Sequence, residues 1–145
     1  MVVSRSSDEL LECRRLLSRI GREVPAGWAQ ADHAVPLSAG LLGHYEVASF
    51  RALGQRYRRG RPPHVIDVRF PHEWQTGHVK GAQNIPLPEV VSAAVSLPRD
   101  EETWVHCAAG YRAAIAASVL SAQGLRPVLV DDAFDNAVGA GLEIL

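Results

Sequence analysis

Three apolar runs of strand length constrain this chain more than any other feature: His64 to Val68, Thr103 to His106, and Pro127 to Val130. Each is near-continuous rather than alternating, which is the pattern of a strand buried on both faces. Val79 to Ile85 offers a shorter fourth run. Helix-length segments lie between them, Leu87 to Leu97 and Tyr111 to Gln123. The second is rich in alanine, with Ile115, Ala116, Val119 and Leu120 as its expected apolar face. Strands alternating with helices of that length predict an α/β fold, a mostly parallel sheet flanked by helices on both faces.

Upstream, Ser49 to Arg59 reads as a helix with Phe50, Leu53 and Tyr57 on one side, ended by Gly60-Arg61-Pro62-Pro63. Near the N-terminus, Ser6-Ser7-Asp8-Glu9 has the Ser-x-x-Glu spacing of a capping box. Leu10, Cys13, Leu16, Leu17 and Ile20 follow at helical period, and Gly21 is placed to stop that helix. Arg22 to Gly43 loses period and collects Pro25, Gly27, Pro36, Gly40 and Gly43, a loop or linker composition.

A chain of 145 residues, 47% hydrophobic and 21% charged, is long enough for one ordinary globular domain and too short for two. Fifteen basic against sixteen acidic residues leave a net charge of −1. No global positive field is present to recruit nucleic acid or an anionic membrane. No apolar run approaches the ~20 residues of a membrane span. Met1-Val2-Val3-Ser4-Arg5 lacks the apolar region of a signal peptide, so a cytoplasmic protein is expected. Two cysteines, Cys13 and Cys107, are too few for a disulfide framework.

The chemistry is expected at Cys107. Val105-His106-Cys107-Ala108-Ala109-Gly110-Tyr111-Arg112 runs from the end of a buried strand, through a loop of small residues, into a helix. Ligands of open α/β sheets bind at the carboxyl ends of strands. Ala108, Ala109 and Gly110 carry little side chain, so their N–H groups can turn inward as an anion-binding nest. The first helical turn adds unpaired amides and the positive end of its dipole, and Arg112 adds a permanent charge. Together these are expected to favour a thiolate nucleophile at Cys107. A buried structural cysteine at a strand end is the bland alternative, and the loop context argues against it.

Two stretches resemble the signatures of rhodanese-like domains. The first is Asp67-Val68-Arg69, then Glu73-Trp74, then Gly77-His78-Val79-Lys80-Gly81-Ala82-Gln83-Asn84-Ile85-Pro86; the second is the loop from Cys107 to Arg112. The similarity spans Tyr45 to Leu145. It implies a sulfurtransferase in which Cys107 accepts a sulfane sulfur as a persulfide and passes it to a thiol or to cyanide. It implies that Ala108, Ala109, Gly110 and Tyr111 cradle the anionic sulfur and that Arg112 holds it or the leaving group. Asp67, Arg69, Glu73 and His78 are expected to support the scaffold, Arg69 by pairing with a carboxylate. The expected partners are a small-molecule or protein sulfur donor and a thiol acceptor, with no cofactor and no metal.

Two rivals stand beside this reading. A cysteine phosphatase also places His-Cys before an Arg, but its loop holds one residue more than the four between Cys107 and Arg112. A rhodanese-like regulatory or binding module would be signalled by loss of the loop cysteine, and Cys107 is present. Downstream, Asp131-Asp132-Ala133-Phe134-Asp135-Asn136 stands where many rhodaneses have a Gly-Gly pair. Its carboxylates are expected to cap the last short helix rather than hold a metal, and to put negative charge at the site's rim. His106 is expected to point into the fold or toward the sheet edge.

The domain accounts for residues 45–145 and leaves an extension of 44 residues. Shifting the chain by 103 positions sets Leu17-Ser18 and Gly21 against Leu120-Ser121 and Gly124, Val2 against Val105, and Ser4 against Cys107. Residues 1–44 therefore read as a remnant of a degenerate rhodanese-like unit. The chain would then resemble the C-terminal part of a tandem protein, of the kind also fused to metallo-β-lactamase-like domains. Half a unit cannot bury its own sheet, so it is expected to pack on the main domain, on a second copy in a homodimer, or on a partner domain. Cys13 is expected to be core.

Overall fold

The computed structural model describes residues 2–19, 28–30 and 44–145. The chain divides into two compact units, Met1–Leu42 and Gly43–Leu145. In the first, strand β1 (Val2–Ser4) leads to helix α1 (Ser7–Arg19), and β2 (Trp28–Gln30) returns parallel to β1 with Val2 opposite Trp28. Ser6 caps α1 by accepting from the Glu9 amide at 3.2 Å, while the Glu9 carboxylate accepts from the Arg5 amide. On α1, Leu10 is buried but Leu16 is half exposed, and Cys13 is half-buried rather than core. Trp28–Gln30 is a strand inside the stretch expected to be loop; three residues are too few to show a period. The expected stop at Gly21 and most of the 22–43 loop lie outside the described residues.

The second unit is built on a five-stranded sheet, all parallel. Its strands are β3 (Glu46–Ala48), β4 (His64–Asp67), β5 (Gln83–Asn84), β6 (Glu102–His106) and β7 (Arg126–Val130). Their order is β3-β7-β6-β4-β5, with β6 in the middle. Its helices are α2 (Phe50–Arg58), α3 (Pro71–Trp74), α4 (Val90–Ala93), α5 (Tyr111–Ala122) and α6 (Asn136–Gly139).

From β3 to β4 the chain steps one way across the sheet; from β5 through β6 to β7 it steps back. Parallel crossovers are right-handed, so reversing the direction sends the connecting helices to opposite faces. Two cores result. Phe50, Leu53, Val65, Trp104, Val128 and Val130 pack on the α2 face, while Ile66, Val90, Val105, Ala116, Leu120 and Leu129 pack on the α4 and α5 face. The strand period of 2 decides who goes where: Trp104 and His106 face α2, and Val105 and Cys107 face α5.

Local sequence explains the departures. The Leu87–Leu97 segment gives only a 3-10 turn (Leu87–Glu89) and the short α4, because Pro86 and Pro88 remove amide donors at its start. On α5 the buried face is Ala113, Ala116, Ala117 and Leu120, and Ile115 is 49% exposed. Alanines let this helix lie close on the sheet, which turns Ile115 outward. On α2, Gly54 faces the Ala140 carbonyl so closely that no Cβ would fit, and Arg58 Nη1 donates to the same oxygen at 2.7 Å. Among the described residues no helix is long and apolar enough to cross a membrane.

Candidate active site

The strands β4 and β6 are neighbours whose onward connections leave in opposite directions, β4 toward β5 and β6 toward β7. A crevice must open between their carboxyl ends, where open α/β sheets take ligands. Cys107 stands on one lip, directly after β6, and Asp67-Val68-Arg69 forms the other. The Val68 amide donates to the His106 carbonyl at 3.0 Å, holding the lips together one residue before the cysteine.

Cys107 is 1% exposed, at the start of its loop. Among the described residues, no carbonyl accepts from the amides of Ala108, Ala109, Gly110, Tyr111 or Arg112. These donors and the start of the twelve-residue α5 form an electropositive turn around the cysteine. Gly110 makes the turn possible with φ +84°. Its open Cα face is occupied by the Asp131 carboxylate, in the space a Cβ would fill. From below, the Phe134 amide donates to the Ala108 carbonyl at 2.9 Å. Tyr111, 84% exposed, lies on the outer surface rather than inside the loop.

Arg112 spans the crevice. Its Nη1 and Nη2 donate to Glu73 Oε2 and Oε1 at 2.6 and 2.7 Å, a bidentate pair. Glu73 Oε2 also accepts from the Phe70 amide, fixing the carboxylate at the first turn of α3. The arginine's hydrogen bond, and then that of the Phe70 amide, pull the Glu73 carboxyl down to about 2 against some desolvation. Arg112 is raised in turn, first by the Glu73 hydrogen bond and more weakly by Cys107 nearby. The guanidinium lies 5.6 Å from the ring of Phe70, an exposed aromatic at the rim.

Behind the site, Asp67 and Arg69 form a buried pair, with Nε and Nη2 of Arg69 on the carboxylate at 2.6–3.0 Å. Arg69 Nη2 also donates to the Gly77 carbonyl, and its guanidinium stacks 3.8 Å over the Phe134 ring. Asn84 Nδ2 donates to the Asp67 and Arg69 carbonyls, tying β5 to the same turn. His78 stacks on Trp74, with ring centroids 3.6 Å apart, and exchanges backbone hydrogen bonds with Leu145. The side chains of Asp67, Arg69 and His78 are thus engaged with the scaffold around the crevice. Glu73 reaches the site through Arg112.

His106 is fully buried on the opposite face of the sheet, between the edge of Phe50 and the face of Phe134. Neither ring nitrogen has a hydrogen-bond partner, and the nearest carboxylate oxygen, on Asp67, is 3.8 Å from Nε2. Burial pushes its pKa down to about 4 against the attraction of Asp67.

Of the downstream carboxylates, Asp132 accepts from the Phe50 amide, the Ala133 amide and Asn136 Nδ2, so it caps α2 as well as the turn before α6. Among the described residues, no group of three or more potential ligands is arranged to hold a metal. Sequence reasoning placed Asp131 only as rim charge and missed its seat on Gly110, and it missed Phe134 as the platform between Arg69 and His106 and Phe70 at the rim. The displacement of a Gly-Gly pair by Asp131-Asp132 was the one available signal for the first. The aromatics gave none, since their roles depend on neighbours far along the chain.

A family model described as rhodanese-like domain matches residues 50–137. Over 63 residues the chain is 44% identical to the thiosulfate sulfurtransferase PspE of Escherichia coli, covering 42% of this chain and 61% of that protein. Over 81 residues it is 31% identical to a putative sulfur carrier protein, YrkF, of Bacillus subtilis, covering 56% of this chain and 44% of the relative. The chain thus spans less than two thirds of the length of these curated relatives. Among solved structures, a rhodanese-related protein from Thermoplasma volcanium superposes with a TM-score of 0.62 at 30% identity. That match covers 70% of this chain and 98% of the other.

Proposed function

The chain belongs to the rhodanese-like domain family, and on that premise we propose that it is a sulfurtransferase working through a persulfide on Cys107. The observation that carries the reading is the cysteine itself, almost wholly enclosed by a turn of free amides at the mouth of a parallel sheet. In the first half-reaction the Cys107 thiolate bonds to the terminal sulfur of a sulfane donor as the donor's own sulfur bond breaks. The electron pair leaves with the donor's remaining fragment. In the second, an acceptor thiolate or cyanide attacks the outer persulfide sulfur, and Cys107 departs as the thiolate. The amides of Ala108 to Arg112 stabilise the anionic outer sulfur without needing to reorganise. Arg112, held by Glu73, keeps the mouth of the loop in shape and supplies the nearest cation.

The similarity to a thiosulfate sulfurtransferase supports this reaction class. Incubation with a sulfane donor should add the mass of one sulfur atom to the intact protein, and cyanide should remove it as thiocyanate. Cys107→Ser should take up none; a wild-type protein that gains no sulfur from any donor would refute the reading.

The N-terminal unit is read as a degenerate remnant of the same kind of unit. The parallel β1-α1-β2 arrangement supports this, with Ser4 at the end of β1 in the place that Cys107 takes after β6. Rhodanese units of this pattern lose their sulfur chemistry with the cysteine, so the reaction is assigned to Gly43–Leu145 alone.

A further inference from the structure

We infer that the donor at this site is a slender, low-charge alkyl persulfide rather than a dianionic oxoanion such as thiosulfate, and that Asp131 is a specificity-determining residue that sets this preference. The inference rests on the sulfurtransferase reading and narrows its substrate class.

Three observations carry it. The first is the balance of charge at the mouth. Between Cys107 and Arg112 the loop has no ionisable side chain but Tyr111, which points outward. The guanidinium of Arg112 is already bound on two nitrogens by Glu73, a carboxylate that stays ionised throughout the neutral range. Asp131 is exposed, and among the described residues no cation pairs with it and no donor bonds to its side chain. Its carboxylate rests on Gly110 at the edge of the amide nest. One positive and two negative side chains surround the nucleophile, so a dianion is repelled before it reaches the amides.

The second is access. With Cys107 1% exposed, a donor must insert a narrow end. A persulfide offers a two-atom sulfur chain on a methylene, whereas the sulfonate of thiosulfate carries three charged oxygens beside the sulfur to be transferred. The third is the rim, where Phe70, beside Arg112, is an exposed aromatic that suits an alkyl or peptide stem.

The transfer balances without an external oxidant. The Cys107 sulfur bonds to the outer sulfur of R–S–SH, the donor S–S bond breaks, and R–S⁻ leaves with the electron pair. The outer sulfur keeps its proton or loses it to solvent.

The test compares rapid persulfidation of the full chain by cysteamine persulfide, whose charges cancel, with that by thiosulfate, read by intact mass. The wild type should load faster from the persulfide. Raising salt from about 0.01 M to about 0.1 M, which shortens the screening length from about 30 Å to about 10 Å, should speed thiosulfate and leave the persulfide rate nearly flat. Asp131→Asn should raise the ratio of thiosulfate to persulfide rates about fivefold. If both donors load Cys107 but that ratio does not move, or salt slows thiosulfate, the donor inference is overturned and the sulfurtransferase reading stands. If neither donor loads wild-type Cys107, both fall together. The salt series on the wild type decides the matter even if Asp131→Asn folds poorly.

Discussion

Replacing His106 by phenylalanine should flatten the acid side of the stability curve. The imidazole lies between Phe50 and Phe134, wholly buried, with both nitrogens unpartnered. Its pKa falls from 6.5 to about 4 on folding. Because the folded value lies below the unfolded one, the unfolded chain binds the proton more tightly. The stability from the neutral ring is therefore complete above pH 6.5 and is lost as pH falls toward about 4. That drop from 6.5 to about 4 corresponds to about 3 kcal/mol in full, and to about 2 kcal/mol between pH 7 and about 5. The Glu73 carboxyl is also shifted downward on folding, but its window lies lower, between 4.5 and about 2, so it is nearly silent there. Urea unfolding at a series of pH values, on wild type and His106→Phe, isolates the effect. The variant's absolute stability is irrelevant, because the phenyl ring keeps the stacking and removes only the titration. Wild type should lose about 2 kcal/mol more than the variant over those two pH units. Parallel curves would mean that the imidazole reaches water or a partner when protonated, and the burial argument would be wrong.

Two further outcomes follow from the crevice. A double-mutant cycle between Glu73→Gln and Arg112→Gln, read by chemical denaturation, should give a coupling of about 1–2 kcal/mol at neutral pH, since the pair is bidentate and only partly exposed. Because the folded pKa of Glu73 is depressed, that coupling should fade as pH drops through 4.5 toward about 2. Arg69→Met should cost about 3–5 kcal/mol in the same assay by leaving Asp67 charged and buried alone, and Asp67→Asn in that background should recover part of the loss.

The α/β class was legible because β4, β6 and β7 are buried on both faces and write that burial as unbroken apolar runs. Cys107 and its loop were legible because strand, small-residue turn and helix follow one another in the chain. What stayed hidden is non-local. The exposed strand β3 has no apolar run to announce it, with Val47 at 59% exposure, and it is a strand because β7 pairs with it. The face of α5 was misjudged because helical period alone cannot tell that a close approach to the sheet selects Ala113 and Ala117 over Ile115. The occupation of Arg112 by Glu73 joins residues 39 positions apart, and the seat of Asp131 on Gly110 depends on a turn two elements later.

The order β3-β7-β6-β4-β5 also has a temporal side. The central strand β6 pairs with β4 and β7, and its loop rests on Asp131 and Phe134, which come after it in the chain. A chain made only as far as Arg112 lacks the floor of its own nest, and its thiol stands open to any oxidant or alkylating agent. Shelter for Cys107 arrives with the last strand and its following turn. The rate at which a bulky alkylating reagent labels this cysteine therefore counts how often the sheet's far side lets go, and serves as a chemical clock for local opening.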